Sequence, residues 1–208
     1  MESTARSQTP KGKKSRDHIL AAAEKLFASR GFHGTSMRDV ADAAAVPVAG
    51  VVYHFRRKEA LYASVLAAIA GDIEASLALE GDGDFAARLD ATTSALVAWT
   101  EENEDRVRLL VRELVDNPAR VARAEKLPLA PVLTRMADFV AAGAAAGVFH
   151  VESAAVAALH LFGAVSYVVV ARPTVRRIFR DRAHGSEQRP YERDAILFAR
   201  RVVGIKSR

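Results

Sequence analysis

Within residues 35–59, TSMRDVADAAAVPVAGVVYHFRRKE, the chain groups two hydroxyls (Thr35, Ser36), a guanidinium (Arg38), a phenol and an imidazole (Tyr53, His54) and three consecutive cations (Arg56, Arg57, Lys58). Hydroxyl and N–H groups at a helix start suit a phosphate, as do cations just beyond a helix end. Side chains on the outer face of a short helix suit base edges. The chemistry on offer is recognition of DNA.

These groups need elements to position them. Thr35 and Ser36 are N-cap residues, and Asp39 follows Ser36 by three, an acidic variant of the capping-box spacing. Met37, Val40, Ala41 and Ala44 then recur at helical spacing over barely two turns. Pro47 cannot continue that helix but suits the first turn of another. In that second helix Val51, Val52 and Phe55 are the expected buried side chains, with Tyr53 and His54 projecting. The pattern is a helix-turn-helix. Helices this short need packing partners on either side.

Charge is placed to match. The 208 residues carry a net +5, and residues 1–58 hold eleven Lys/Arg against five Asp/Glu (+6), which leaves −1 for the remainder. The basic excess therefore coincides with the helix-turn-helix, the footprint of a nucleic-acid partner. The chain has no cysteine, which excludes disulfides, thiolate metal sites and cysteine nucleophiles and fits a reducing, cytoplasmic setting. The N-terminal residues lack an apolar signal-peptide core. No nucleophile elbow, HExxH or phosphate loop is present, and His150-Val151-Glu152 is too sparse for a metal site, so neither an enzyme nor a cofactor is expected. Gly81 and Gly83 follow no strand and precede no Gly-Lys-Ser/Thr, so residues 80–83 read as a surface turn.

Taken in order, residues 1–14 read as a flexible basic tail, either an arm whose lysines reach an adjacent minor groove or simply a solvated disordered end. Helix 1 is expected over about 15–29, with Ile19, Leu20, Ala23, Leu26 and Phe27 as its stripe and Gly31 as its C′ glycine. Residues 15–58 thus form the DNA-binding domain, and residues 59–208 a larger helical body. That body has a long helix from Lys58, then helices near 84–101, 103–116, 130–146, 153–171 and 190–203, and a short turn near 118–125. The fold class is all-α. Residues 154–171 contain no Asp, Glu, Lys or Arg, which grazes the length of a membrane span. His160, Ser166 and the lack of a second such segment favour instead a soluble helix buried on every side, facing both its own core and another subunit.

The run KLFASRGFHGTSMRDVADAAAV, continued by VYHFRRKEALYASVL, resembles the N-terminal domain of tetracycline-repressor (TetR) family transcription regulators over about residues 16–66. The resemblance implies a homodimer with a ligand-sensing body, which binds a near-palindromic double-stranded operator and is released by a small-molecule effector. It also implies a phosphate contact for Lys58 at the start of the fourth helix. An architectural, non-specific DNA binder is the competing reading, and it leaves the large neutral body without a role. Three positions depart from the family pattern: Ala45 stands in the turn where glycine is usual, Val52 where tyrosine is frequent, and Pro47-Val48 where the family often has Ser and a polar residue.

The expected DNA-binding residues divide by role. Thr35 and Lys58 meet phosphates, Ser36 meets a phosphate or simply caps its helix, Tyr53 and His54 meet backbone, Val48, Ala49 and Gly50 face base edges, and Arg38 reads a guanine or pairs with a phosphate. Arg56 and Arg57 are further phosphate candidates. With so little polarity on the second helix, base reading leans on thymine methyls, Arg38 and DNA shape. Candidate pocket residues are Trp99, Leu110, Phe139, Phe149, Phe162 and Tyr167, with Arg112, His160 and Ser166 as polar anchors, and core packing is the alternative for each. Few of them are polar, so an apolar effector is expected. Leu159, Phe162, Val165, Val169, Ile196 and Phe198 are candidates for a four-helix dimer interface, or for intramolecular core.

Overall fold

A computed structural model describes residues 10–80, 84–116, 126–179 and 188–205. Among these it forms nine helices and no strand: α1 (Pro10–Arg30), α2 (Met37–Ala43), α3 (Val48–His54), α4 (Lys58–Ser76), α5 (Phe85–Glu102), α6 (Glu104–Asp116), α7 (Ala130–Ala145), α8 (Ala154–Phe179) and α9 (Gln188–Val202). The chain divides into two compact units, Met1–Ala68 and Ile69–Arg208, so the boundary falls inside α4 rather than at its start.

Two helices extend further than their sequence signals suggest. Helix α1 begins at Pro10, which is tolerated in a first turn because its missing N–H has no ladder partner there. Lys13 and Lys14 are therefore exposed helix residues, not part of a tail, and the rest of the expected tail, residues 1–9, lies outside the described residues. Helix α8 runs through Pro173 to Phe179. A proline costs a helix one ladder bond, and the neighbouring turn is tied from outside by Arg172, which pairs with Glu101 at 3.0 Å and Glu104 at 3.5 Å. The turns expected at 80–83 and 118–125 lie largely outside the described residues.

In the first unit α1, α2 and α3 pack on one another, and Ile19, Ala23 and Phe27 of α1, Val40, Ala41 and Ala44 of α2 and its cap, Val51 and Phe55 at α3, and Leu61 and Val65 of α4 are all buried. The Phe27 ring lies 4.9 Å from Tyr62, edge to face, and 6.2 Å from Phe32. Helix α2 starts with the expected capping box. The Asp39 N–H donates to Ser36 Oγ at 3.1 Å, and Asp39 Oδ2 accepts from Ser36 N at 2.7 Å and Ser36 Oγ at 2.6 Å. Those Ser36 bonds, side chain then backbone, together with Arg30 at 3.7 Å, hold the Asp39 carboxyl below the usual carboxylate range. The cap is therefore complete above that range and is lost as pH falls through the lowered value.

The turn between α2 and α3 is a Schellman motif, in which Val46 N–H donates to Ala41 O at 3.0 Å and Ala45 N–H to Asp42 O at 3.2 Å. The same pattern ends α7, with Val148 N–H on Gly143 O and Gly147 N–H on Ala144 O. There the C′ residue is Gly147 at φ +72°, whereas in the α2 turn it is Ala45 at φ +49°. The alanine Cβ crowds the following carbonyl in that conformation, and glycine's does not exist.

In the second unit α8 is central, packing against α5, α6, α7 and α9, and α5 also packs on α9. Phe85, Phe139 and Phe149 form a cluster with ring separations of 5.7–5.8 Å. Gly143 makes room for it, since a Cβ there would lie 2.2 Å from the Phe149 ring. Ion pairs tie the helices together: Arg106 with Asp72 at 2.7 Å, Arg135 with Glu74 at 2.8 Å and Glu80 at 2.7 Å, and Arg200 Nε with Asp90 at 2.9 Å.

Replacing Ala45 with glycine removes a left-handed strain of ~1–2 kcal/mol and adds ~0.5–1 kcal/mol of unfolded-chain entropy. Ala45→Gly is thus expected to stabilise the protein by up to about 1 kcal/mol in a denaturant titration; a loss of stability would contradict the strain assigned to this turn.

Candidate nucleic-acid interface and sensor cavity

Helix α3 has two sides. Val51 and Phe55, one turn apart, face the core. Val48 and Val52, also one turn apart, lie outward at 41% and 44% exposure, beside exposed Ala49 and Tyr53, the latter 78% exposed. Val52 is therefore not the core residue expected from sequence. It belongs to the presented face, as its i,i+4 relation to Val48 requires. Gly50 is half-buried, turned toward Val46, whose Cβ lies 4.0 Å from the place a Cβ would take. His54 is half-buried with its ring between those of Tyr53 (5.1 Å) and Phe55 (6.4 Å).

The polar candidates separate in the same way. Thr35 is 1% exposed, and its hydroxyl donates to Gly31 O at 3.0 Å. Its role is to close the loop after α1, not to offer a free hydroxyl to a phosphate. Ser36 is exposed, but both its N–H and its hydroxyl are engaged by Asp39, so it acts first as a cap. Lys58 is half-buried, donates from Nζ to Phe32 O at 2.9 Å and lies 4.3 Å from the Phe32 ring centre. That contact fixes the ammonium's place while leaving it donors to spare, since an ammonium has three. Arg38, Arg56 and Arg57 are exposed. Arg16 stacks 5.1 Å from the Phe55 ring, beneath the end of α3.

In the second unit a cavity of about 210 Å³ opens between α5, α7, α8 and α9. Its wall is Thr93, Leu96, Met136, Leu161, Ala164, Val165, Val168, Tyr191, Asp194, Ala195, Phe198 and Ala199. None of the nine residues expected to line a pocket borders it. Trp99 is core, with its indole N–H on Asp72 Oδ2 at 3.1 Å. Phe139 and Phe149 belong to the aromatic cluster. Leu110 and Arg112 are half-buried on α6. On α8 the cavity side follows Leu161, Val165 and Val168, which turns His160 and Tyr167 outward and leaves Phe162 and Ser166 half-buried.

The cavity wall offers little polarity. The Thr93 hydroxyl donates to Leu89 O at 2.8 Å, and the Tyr191 hydroxyl lies 3.5 Å from Val165 O. Burial pushes the Tyr191 phenol up to about 12, partly countered by Arg172. It therefore stays protonated throughout the physiological range. Asp194, at the rim, is exposed.

The outer side of α8 and α9 is apolar as well. Val156, Leu159, Tyr167 and Ile178 of α8 and Leu197 and Phe198 of α9 are all exposed. Of the dimer candidates, Leu159 lies on this face, Phe198 is exposed at the edge of the cavity whose wall it forms, and Phe162 and Ile196 are half-buried. Val165 and Val169 are buried within the chain, on the opposite side of α8. Helix α8 is thus covered on one side, not on every side. One helix among the described residues, Ala154–Ile178, has the length and mean hydropathy, 2.0, to cross a membrane, and its covered side packs on α5, α6, α7 and α9.

Comparison with known proteins agrees with this architecture. Residues 19–65 match the model of bacterial regulatory proteins of the tetR family, and residues 86–197 match the tetracyclin repressor-like C-terminal domain. The Escherichia coli (strain K12) HTH-type transcriptional regulator RutR is 46% identical over 48 residues, which are 23% of this chain and 23% of RutR. The match thus spans under a quarter of that relative's length. A tetR-family regulatory protein from Rhodococcus RHA1 is 25% identical and superimposes with a TM-score of 0.75 over 93% of this chain and 99% of its own. FadR from Bacillus subtilis, solved in complex with stearoyl-CoA, shares the fold at 15% identity, with a TM-score of 0.73 over 92% of this chain and 99% of its own. With a basic helix-turn-helix unit followed by an all-helical body, and with models matched in both, the chain belongs to the tetR family of bacterial regulatory proteins.

Proposed function

We propose that the protein is a sequence-specific, ligand-responsive transcription regulator that works in the cytoplasm, binds a near-palindromic operator as a homodimer and represses by occupying it. The observation that carries this reading is the first unit itself. A capped α2 and an outward-facing α3 stand beside exposed Arg38, Arg56 and Arg57, in the segment that holds the whole basic excess. In competition binding at fixed salt, DNA from its own upstream region, or the best duplex selected from a random library, should win over random DNA by roughly a thousandfold or more. Equal affinity for every duplex would leave only a non-specific binder. Arg56→Ala and Arg57→Ala should each flatten the salt dependence by about one unit, with the sequence preference unchanged.

The exposed apolar side of α8 and α9 supports dimerisation. Monomers seldom expose contiguous apolar surface, and a two-fold pairing of α8 and α9 with their copies would cover it. Leu159→Glu places a charge on that face without touching the core, and it should shift the protein to a monomer in sedimentation velocity. A variant that stays dimeric would move the interface elsewhere.

The cavity supports the sensor role. A dry apolar cavity of ~150 Å³ is enough to bind benzene, so about 210 Å³ suits an uncharged one- or two-ring compound or a short alkyl chain. Ligand binding releases DNA only if it favours a state that fits the operator less well. Helix α4 is the proposed lever: its Lys58 end holds Phe32, and Asp72 and Glu74 bond Arg106 and Arg135. Naphthalene should raise the melting temperature of the wild-type protein and leave Ala164→Phe, in which the cavity is filled, unmoved. The same shift in both would place the binding site elsewhere.

A further inference from the structure

We infer that the protein identifies its operator chiefly through the C5-methyl groups of thymine, with Val48 and Val52 of α3 as the side chains that determine specificity. The inference rests on the DNA-binding reading above and goes beyond it, to what is read. The outward side of α3 consists of Val48, Ala49, Val52 and Tyr53. It carries no amide, guanidinium, ammonium or carboxylate. The bidentate pairs by which Arg or Lys identify guanine, and Asn or Gln identify adenine, are therefore unavailable from this helix. Its polar atoms are the Tyr53 hydroxyl and the half-buried ring of His54.

An apolar side chain finds one apolar feature on the base edges of the major groove, the thymine methyl. That methyl lies on one strand only, so a valine against it distinguishes T·A from A·T as well as from G·C. The setting selects the occupant. Arg38 on α2, which packs on α3, and Arg56 and Arg57, which follow α3 in the chain, are exposed, and Lys58 is half-buried, a set suited to phosphates flanking an apolar stripe rather than to an apolar protein surface. The departures of the sequence at Val48 and Val52 then have a function. They exchange hydrogen-bond readout for methyl readout, with exposed Arg38 of α2 as the neighbouring hydrogen-bonding reader.

The test uses the full-length protein and duplexes selected from a random-sequence library. Each thymine of a selected duplex is replaced in turn by uracil, which removes the methyl and leaves the Watson–Crick pair intact. A buried methyl is worth ~0.8 kcal/mol, so the critical thymines should each cost about fourfold in affinity, and a symmetric pair about fifteenfold. Where cytosine is placed at such a position, 5-methylcytosine should bind more tightly than cytosine. In Val52→Ala or Val48→Ala, whose side chains are exposed and leave the core intact, the uracil penalty at one position should fall below about twofold. Uracil tolerated within about twofold at every position would overturn the inference, and so would an undiminished penalty in both valine variants; in either case the selected duplex still beats random DNA and the regulator reading stands. Selection that yields no preferred duplex would instead overturn the reading on which the inference rests.

Discussion

Two seven-residue helices cannot hold their own shape in water, because so short a helix forms too few backbone bonds to offset the cost of nucleation. Everything that α2 and α3 present to DNA therefore depends on what they bury. Val40 and Ala41 on one, and Val51 with Phe55 on the other, pack around Ile19, Ala23 and Phe27 of α1. The Ser36–Asp39 box and the Schellman turn at Ala45 fix where one helix starts and how the chain leaves it for the next. Thr35 and Lys58 close the arrangement from either end, through Gly31 O and Phe32 O. Groups that look in sequence like ligands for phosphate are thus first of all ties within the fold. The valines, the tyrosine and the arginines that the fold has no use for are what remains on the surface.

The same division recurs in the second unit. Helix α8 buries Leu161, Val165 and Val169 and turns Leu159 and Tyr167 out. Its apolar composition serves two surfaces, one inside the chain and one that a second copy would cover. Between α8 and α9, small residues at Ala164, Ala195 and Ala199 leave unfilled space lined by larger neighbours. An effector that fills the void and a partner that covers the adjacent face would act on the same pair of helices.

The sequence made the caps and turns of the first unit legible, because caps, glycines and prolines act locally. Ser36, Asp39, Pro47 and Gly31 stand where their chemistry requires, and the turn position where Ala45 replaces the usual glycine has a positive φ. Val52 was less legible. On a helix of two turns, Val51 and Val52 are adjacent apolar residues, and periodicity cannot say which one faces in. Thr35 was ambiguous for a similar reason, since either of two neighbouring hydroxyls can cap a helix. The cavity was not legible at all. A void arises from missing volume at Ala164, Ala195 and Ala199, whereas large aromatics such as Phe139 and Phe149 mark where space is already filled. Helix α8 was legible as apolar, but composition does not tell which side a neighbour covers.

The central claim is that α3, repeated by two-fold symmetry, reads DNA at two places one helical turn apart. Hydroxyl-radical footprinting on the best selected duplex tests it most directly. The account predicts two protected patches on one face of the duplex, with centres roughly 34–36 Å apart. A single patch, or uniform protection without a boundary, would contradict it.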